Sequence, residues 1–530
     1  MIDTINECRR KHAQTGLTTL IVIALTTISA CTINPVTGDR ELALVSAADE
    51  LAIGAAQYAP AQQMQGGEYV LDRELNAYVS RVGQRLAAVS DRDLPYEFTV
   101  LNSSVPNAWA LPGGKIAINR GLLLELSSEA ELAAVLGHEI VHAAARHGAL
   151  AMQRGLLLQG ALLATAVASN RSDYSSVVVG AASVGAQLIN QRNSRGAELE
   201  SDEYGMLYMQ RAGYDPRAAI ELQQTFVRLS EQRSQQSGRL AQLFASHPPS
   251  QERVERNRET AARLPQGGDF GRESYAAATM RLRAAAPAYA DFDAARAALA
   301  NDQIDRARSL AQQAVTAVPA EAAFHALIGD IEVSSGQFAR AIPRYEAALE
   351  RDGSFFYYPL RLGLALQANN NLTAAEANLR ASIDLLPTAD AHYALGRISE
   401  SRGNRATALE HYRAAAGASG QAGQAAAEAV VRMDLPQNPS AYLQIAAGLD
   451  SSSELVFELS NPTTVTVADV FVTIRYVGSD GQTNSVARSL YDQLPPGTTR
   501  RYTTGIGPLA SQQSYQISLD RARVIDADQN

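Results

Sequence analysis

A chain of 530 residues has room for about three domains. Its content of 46% hydrophobic and 19% charged residues is ordinary for globular protein. A formal net charge of -9 argues against a general nucleic-acid binder.

Residues 1–30 have the pattern of a lipoprotein signal peptide. Arg9, Arg10 and Lys11 make a basic start, and Leu17 to Ile28 is apolar but too short to span a bilayer comfortably. Ile28-Ser29-Ala30-Cys31 then resembles a bacterial lipobox, which predicts lipidation at Cys31; an ordinary anchor helix is the alternative. Loss of residues 1–30 removes Cys8 and leaves Cys31 without a disulfide partner. Thr32, where Asp would retain a lipoprotein at the inner membrane, favours outer-membrane sorting.

Residues 31–265 read as the first folded domain. Asn34-Pro35-Val36-Thr37-Gly38 is a turn, 46–64 and 70–90 look helical, and Tyr96 to Leu101 alternates as a half-buried strand does. Asn107-Ala108-Trp109-Ala110-Leu111-Pro112-Gly113-Gly114-Lys115-Ile116-Ala117-Ile118 reads as strand, tight turn, strand. Asn107, Ala108, Trp109 and Ala110 could pair with an extended peptide by main-chain hydrogen bonds, or simply form a structural hairpin. Trp109 reads as a core residue.

The chemistry concentrates in His138-Glu139-Ile140-Val141-His142. On a helix, residues four apart share a face, so two imidazoles there can reach one zinc ion. Glu139 stands close enough to touch a water at that ion, the HExxH arrangement of metalloproteases. Leu132, Val135, Leu136 and Ile140 recur at helical spacing and predict a buried face. Such a site needs a third protein ligand. Glu198 can supply it, and Asp202, four residues on, can accept a hydrogen bond from a ligand imidazole. His147, Arg253 or a tyrosine are the choices for support of the transition state. Ala245 to Arg253 closes the domain, with His247 in a proline-rich loop as either a fourth ligand of a resting state or a structural histidine. The apolar segments 155–168 and 175–190 are too short to cross a membrane and read as a buried helical hairpin or a flap.

These motifs together resemble the HtpX-like and CAAX-prenyl-protease-like gluzincin metallopeptidases. Arg146-His147 after the HExxH belongs to this resemblance, and the Asn34-Pro35-Val36-Thr37-Gly38 turn after a lipobox resembles its lipoprotein members. Without long hydrophobic spans after residue 30, the chain is more similar to the soluble BepA-type branch with appended repeats. The resemblance implies a mainly α zincin-type domain with a small β-sheet. It implies zinc on His138, His142 and Glu198, Glu139 as general base, and Asp202 behind the ligands. It also implies misfolded or stalled envelope proteins, including outer-membrane β-barrels, as substrates.

In residues 270–435, Ala307, Ala341, Ala375 and Ala408 recur every 33 or 34 residues, as do Gly329, Gly363 and Gly396. This is the tetratricopeptide period, predicting an α-solenoid whose concave face docks a peptide or protein; the resemblance to BepA-type proteases implies outer-membrane assembly machinery as a partner. His325, His392 and His411 read as packing or surface residues. Residues 440–530 hold short alternating segments separated by turns and predict an immunoglobulin-like β-sandwich. The whole reads as a lipid-anchored periplasmic zinc endopeptidase. The rival is a periplasmic chaperone or assembly scaffold with a latent protease domain; cleavage of prenylated peptides is disfavoured by the lipoprotein signal.

Overall fold

The structure is a computed structural model and describes residues 31–153, 193–231, 246–478, 481–509 and 515–525. The expected signal segment 1–30 and the apolar segments 155–168 and 175–190 lie outside these residues. Residues up to Tyr358 form one compact unit and those from Pro359 a second.

The first unit opens with β1 (Cys31–Ile33) and β2 (Arg40–Leu42), paired antiparallel across the Asn34–Gly38 turn. Asn34 is fully buried, and its side-chain oxygen accepts from the Val36 amide at 2.9 Å, which closes the turn. Helix α1 (Ala47–Met64) starts at a capping box between Ser46 and Asp49, and α2 (Arg73–Ala87) at Asp72. Strands β3 (Glu97–Leu101), β4 (Ala108–Leu111) and β5 (Lys115–Asn119) make a sheet ordered β3-β5-β4, with β5 parallel to β3 and antiparallel to β4. Gly113 and Gly114 both take positive φ, 80° and 81°, so the Pro-Gly-Gly turn is one that side chains resist. Helix α1 crosses that turn so closely that a Cβ on Gly54 would lie 1.8 Å from the Pro112 carbonyl oxygen. Both helical expectations and all three strands of this stretch are present.

After α3 (Arg120–Glu125) comes α4 (Glu129–Ala144), capped by Ser128, whose hydroxyl accepts from the Glu131 amide at 3.1 Å. Every residue of α4 beyond Glu129 is buried, which explains an apolar character extending past one face. Helices α5 (Arg195–Arg211) and α6 (Arg217–Glu231) pack against it, and α7 (Gln251–Arg263) packs against those two. The same core continues from Leu132 and Ile140 through Tyr289 and Phe324, on α9 (Met280–Ala300) and α11 (Ala322–Ser334) of the following helices. Between these lie α8 (Arg272–Ala278) and α10 (Ile304–Ala317), and α12 (Phe338–Arg351) follows.

The repeat period has a steric cause. Gly329 faces the Tyr345 ring, where a Cβ would meet it at 2.7 Å, and Ala307 and Ala341 are fully buried. Helix α13 (Tyr357–Ala368) begins at the last residues of the first unit, and α14 (Leu372–Leu385), α15 (Ala389–Ser401), α16 (Arg405–Ala416) and α17 (Gln421–Asp434) follow in the second. There Gly396 faces Tyr412 at 2.5 Å from the position of a Cβ. Gly396→Val is expected to cost about 1–3 kcal/mol by overpacking, read as a lower urea midpoint of the repeat transition. Gly417→Ala, with open space around it, is expected to leave that midpoint in place.

The chain ends in β6 (Gln444–Leu449), β7 (Leu455–Ser460), β8 (Thr466–Val477), β9 (Thr483–Leu490), β10 (Thr499–Thr503) and β11 (Tyr515–Ile525). They form two three-stranded antiparallel sheets, ordered β10-β7-β6 and β11-β8-β9. Leu455, Phe457 and Leu459 of one sheet share a core with Val470, Val472 and Ile474 of the other, as in a β-sandwich.

Candidate metal centre

Two helices build the centre. Helix α4 presents His138 and His142 one turn apart, and α5, capped by Ser194, presents Glu198 and Asp202 at the same spacing. The helices approach at a pair of glycines. A Cβ on Gly205 would lie 3.1 Å from the His138 amide nitrogen, and one on Gly137 would lie 3.2 Å from the Gly205 carbonyl oxygen. This contact lets carboxylates of α5 reach imidazoles of α4.

His138, His142, Glu198 and His247, all buried, each offer one ligand atom within 4.8 Å of the others. The Nε2 atoms of His138 and His142 face each other at 3.0 Å, and Glu198 oxygens lie 3.5 and 3.4 Å from them. His247 Nδ1 stands 3.0 Å from Glu198 Oε1 and 3.3 Å from His138 Nε2. Asp202 Oδ1 lies 2.9 Å from His138 Nδ1 and can accept a hydrogen bond from Nδ1–H, which leaves the Nε2 lone pair of the neutral ring directed into the centre. Lone pairs of two imidazoles converging beside a carboxylate repel one another, and a bound cation removes that repulsion. The nitrogen and oxygen donors suit zinc.

The metal-free electrostatics show the same demand for positive charge. Burial opposes charge on His138, yet Glu198 and Asp202 outweigh it and raise its pKa to about 10. Burial keeps the neighbouring His142 well below the usual histidine range. Burial likewise opposes ionisation of Glu198 and Asp202. His247 and His138 nevertheless hold Glu198 well below the carboxylate range, and Arg253 holds Asp202 below it. Burial dominates at Glu139 and raises its pKa.

Of the other residues singled out in the first domain, Ala110 is half-buried in β4. Arg253 donates Nε and Nη2 to the two Asp202 oxygens, both at 2.7 Å, and its Nη1 lies 2.9 Å from Glu198 Oε2. His147 is drawn to the back of the ligand set, with Nδ1 2.8 Å from His142 Nδ1. Ala108 lines a small apolar pocket beside His138 and Glu139, together with Leu122, Val135, Met206, Met209 and Phe226. Trp109 is core, packed edge-on to Tyr58 at 6.0 Å between ring centroids. Asn107 is buried with neither side-chain polar atom hydrogen-bonded. Of the remaining histidines, His325 reaches the Pro319 carbonyl at 2.8 Å, and His392 and His411 contact each other at 3.2 Å.

Several participants escaped sequence reasoning. Asn193 Nδ2 lies 3.4 Å from His142 Nε2. Glu200 stands 3.5 Å from His147 Nε2 and accepts from Asn34 Nδ2 at 3.3 Å, so the N-terminal turn is hooked onto α5. Arg146 ends α4 in the left-handed region, φ 65°, and is tied to buried Glu50, which also binds Arg92 at 2.8 Å. That lock turns the chain so that His147 returns to His142.

Comparison with known proteins agrees with this geometry. The model of peptidase family M48 matches residues 73–261, and a tetratricopeptide-repeat model matches 292–354 and 360–423. The chain is 30% identical over 200 residues to a putative beta-barrel assembly-enhancing protease of Vibrio cholerae, covering 37% of this chain and 40% of that one. It is 27% identical over 350 residues to the beta-barrel assembly-enhancing protease of Escherichia coli K12, covering 57% of this chain and 68% of the relative. It is 33% identical over 195 residues to the mitochondrial metalloendopeptidase OMA1 of Schizosaccharomyces pombe, covering 34% of this chain and 52% of the relative. The alignments thus span from under half to about two thirds of these relatives' lengths. Residues 73–261 are a peptidase family M48 domain with a His/His/Glu metal site, followed in the same chain by tetratricopeptide repeats.

Proposed function

We propose that this chain is a zinc-dependent endopeptidase that hydrolyses peptide bonds in misfolded or stalled cell-envelope proteins, with the repeats docking substrate or partner. The observation that carries the reading is the convergence of His138, His142 and Glu198 with Glu139 on the adjoining position of the same helix. Zinc held there supplies Lewis acidity toward a scissile carbonyl and toward water. Glu139 takes a proton from the attacking water and delivers it to the leaving amine. Asp202, held by Arg253, fixes the tautomer of His138, and His147 steadies His142. The outer side of β4 is an edge of its sheet, where a peptide could add as a strand. The apolar pocket beside Ala108 would take a side chain next to the cleaved bond.

Envelope substrates and a periplasmic, lipid-anchored location rest on the lipobox pattern at Cys31 and on relatives named for beta-barrel assembly. Among the described residues no helix is long and apolar enough to cross a membrane. The test is cleavage of denatured envelope proteins by the purified chain, with the Glu139→Gln variant as control.

A latent resting state has its own observation. His247 lies among the ligands, and its Nε2 stands 3.6 Å from Glu139 Oε1, between the base and the place of the substrate. In this reading His247 leaves the site when substrate enters. His247→Ala is therefore expected to raise the initial rate on a short peptide several-fold while zinc stays bound. An unchanged rate with an unchanged cobalt-substituted absorption spectrum would refute the gate.

A further inference from the structure

A second site lies where the protease sheet meets the first repeats. It is a groove of about 680 Å³, large enough for a side chain and its flanking backbone. One wall is the Asn102–Val105 loop, which runs straight into β4. The other is apolar, made by Phe292, Leu327 and the half-buried aromatics Phe355, Phe356 and Tyr357. Both walls are fixed. Gln63, at the end of α1, donates to the Ser354 carbonyl and accepts from the Phe356 amide, each at 2.8 Å. Arg120 donates Nε to Asn102 and Nη2 to Ser104, each at 2.7 Å, and its guanidinium stacks 3.3 Å from the Tyr289 centroid.

Arg120 is the unfinished part. It lines the groove, is 1% exposed, and its Nη1 is buried without a hydrogen-bond partner. A buried unpaired N–H is costly, so an acceptor oxygen brought to this wall would be favoured. Asp330 of the groove does not serve it, being taken by the Tyr345 and Tyr357 hydroxyls at 2.7 and 2.8 Å.

We infer that the groove holds an aromatic side chain of the bound peptide, three to five residues to the C-terminal side of the cleaved bond. The inference rests on the endopeptidase reading for the peptide's path. Antiparallel addition to β4 is the slightly more stable sense, and it sends the C-terminal side of the peptide toward the start of β4. Ala108, at that start, lines the pocket beside Glu139, and the groove begins three residues earlier at Val105. Three residues reach at most roughly 10 Å, a gap that a peptide three to five residues beyond the cleaved bond can cross. The aromatic wall takes the ring, and the Arg120 side takes an oxygen of the peptide, either a main-chain carbonyl or a terminal carboxylate. The reverse sense would bring an amino terminus to a buried guanidinium.

The test measures binding apart from cleavage. A fluorescein-labelled six-residue peptide with Phe at its fourth position is titrated into the full-length Glu139→Gln chain, beside the same peptide with Ala there. The Phe peptide is expected to bind on the order of tenfold more tightly. Ala323→Trp, which fills the groove from its half-buried lining, is expected to abolish the difference, and so is Leu327→Asp. Free-acid and amidated peptides then distinguish the two oxygens: equal binding assigns a main-chain carbonyl, weaker binding of the amide the terminal carboxylate. Equal binding of the Phe and Ala peptides, or a preference that survives both variants, would overturn the groove. A preference lost in both variants, from a parent chain that cleaves no peptide, would keep the groove and refute the endopeptidase.

Discussion

Glu139→Gln is expected to retain zinc and lose about 10²–10⁴-fold in kcat. The amide is nearly isosteric, so the packing of α4 should persist, and Glu139 is outside the ligand set formed by His138, His142, Glu198 and His247. What it loses is a proton acceptor on a fully buried helix. Metal content near that of the parent, measured on the same sample, separates loss of the base from loss of the site. Glu198→Ala should give the opposite pair of results, with activity and zinc lost together.

The second large effect is expected at Arg253. Its guanidinium is buried and holds two buried carboxylates, Asp202 and Glu198. Arg253→Met removes the guanidinium the two share and leaves them histidine partners, His138 at Asp202 and His247 at Glu198. Breaking a buried pair from one side costs about 3–5 kcal/mol. Zinc affinity should fall about 10–100-fold, because Asp202 no longer orients His138 as an anion. The pH dependence follows from the direction of the Asp202 shift. Arg253 lowers its folded pKa, so the parent gains stability above the unfolded value of about 3.9 and loses it as pH falls below. Without Arg253, only His138 opposes the burial that raises that pKa, so ionised Asp202 is less well held in the fold at neutral pH. The stability deficit of the variant, read from urea midpoints on metal-free protein, should be largest near pH 7 and narrow toward pH 4.

The chemistry was legible because it is local. His138, Glu139 and His142, and then Glu198 and Asp202, sit at spacings that a helix converts directly into one face. The repeats were legible for a related reason: Gly329 and Gly396 recur because each faces a tyrosine ring that excludes a side chain. What stayed hidden depends on distant partners. Nothing near Gly137 or Gly205 announces that the two backbones touch. Asn34 reads as a turn residue, and its bond to Glu200 joins positions far apart in the chain. Glu50 reads as part of a solvated first turn, yet it is buried between Arg92 and Arg146. Arg120 looks like an ordinary helix-start arginine until the fold buries it beside the groove.

The central claim is that His138, His142 and Glu198 hold a zinc ion that works with Glu139. The most direct measurement is metal content and peptide hydrolysis on one preparation of the chain, with and without Glu139→Gln. The account predicts about one zinc per chain in both proteins and hydrolysis only in the parent. A chain that binds no zinc, or hydrolysis that survives Glu139→Gln undiminished, would contradict it.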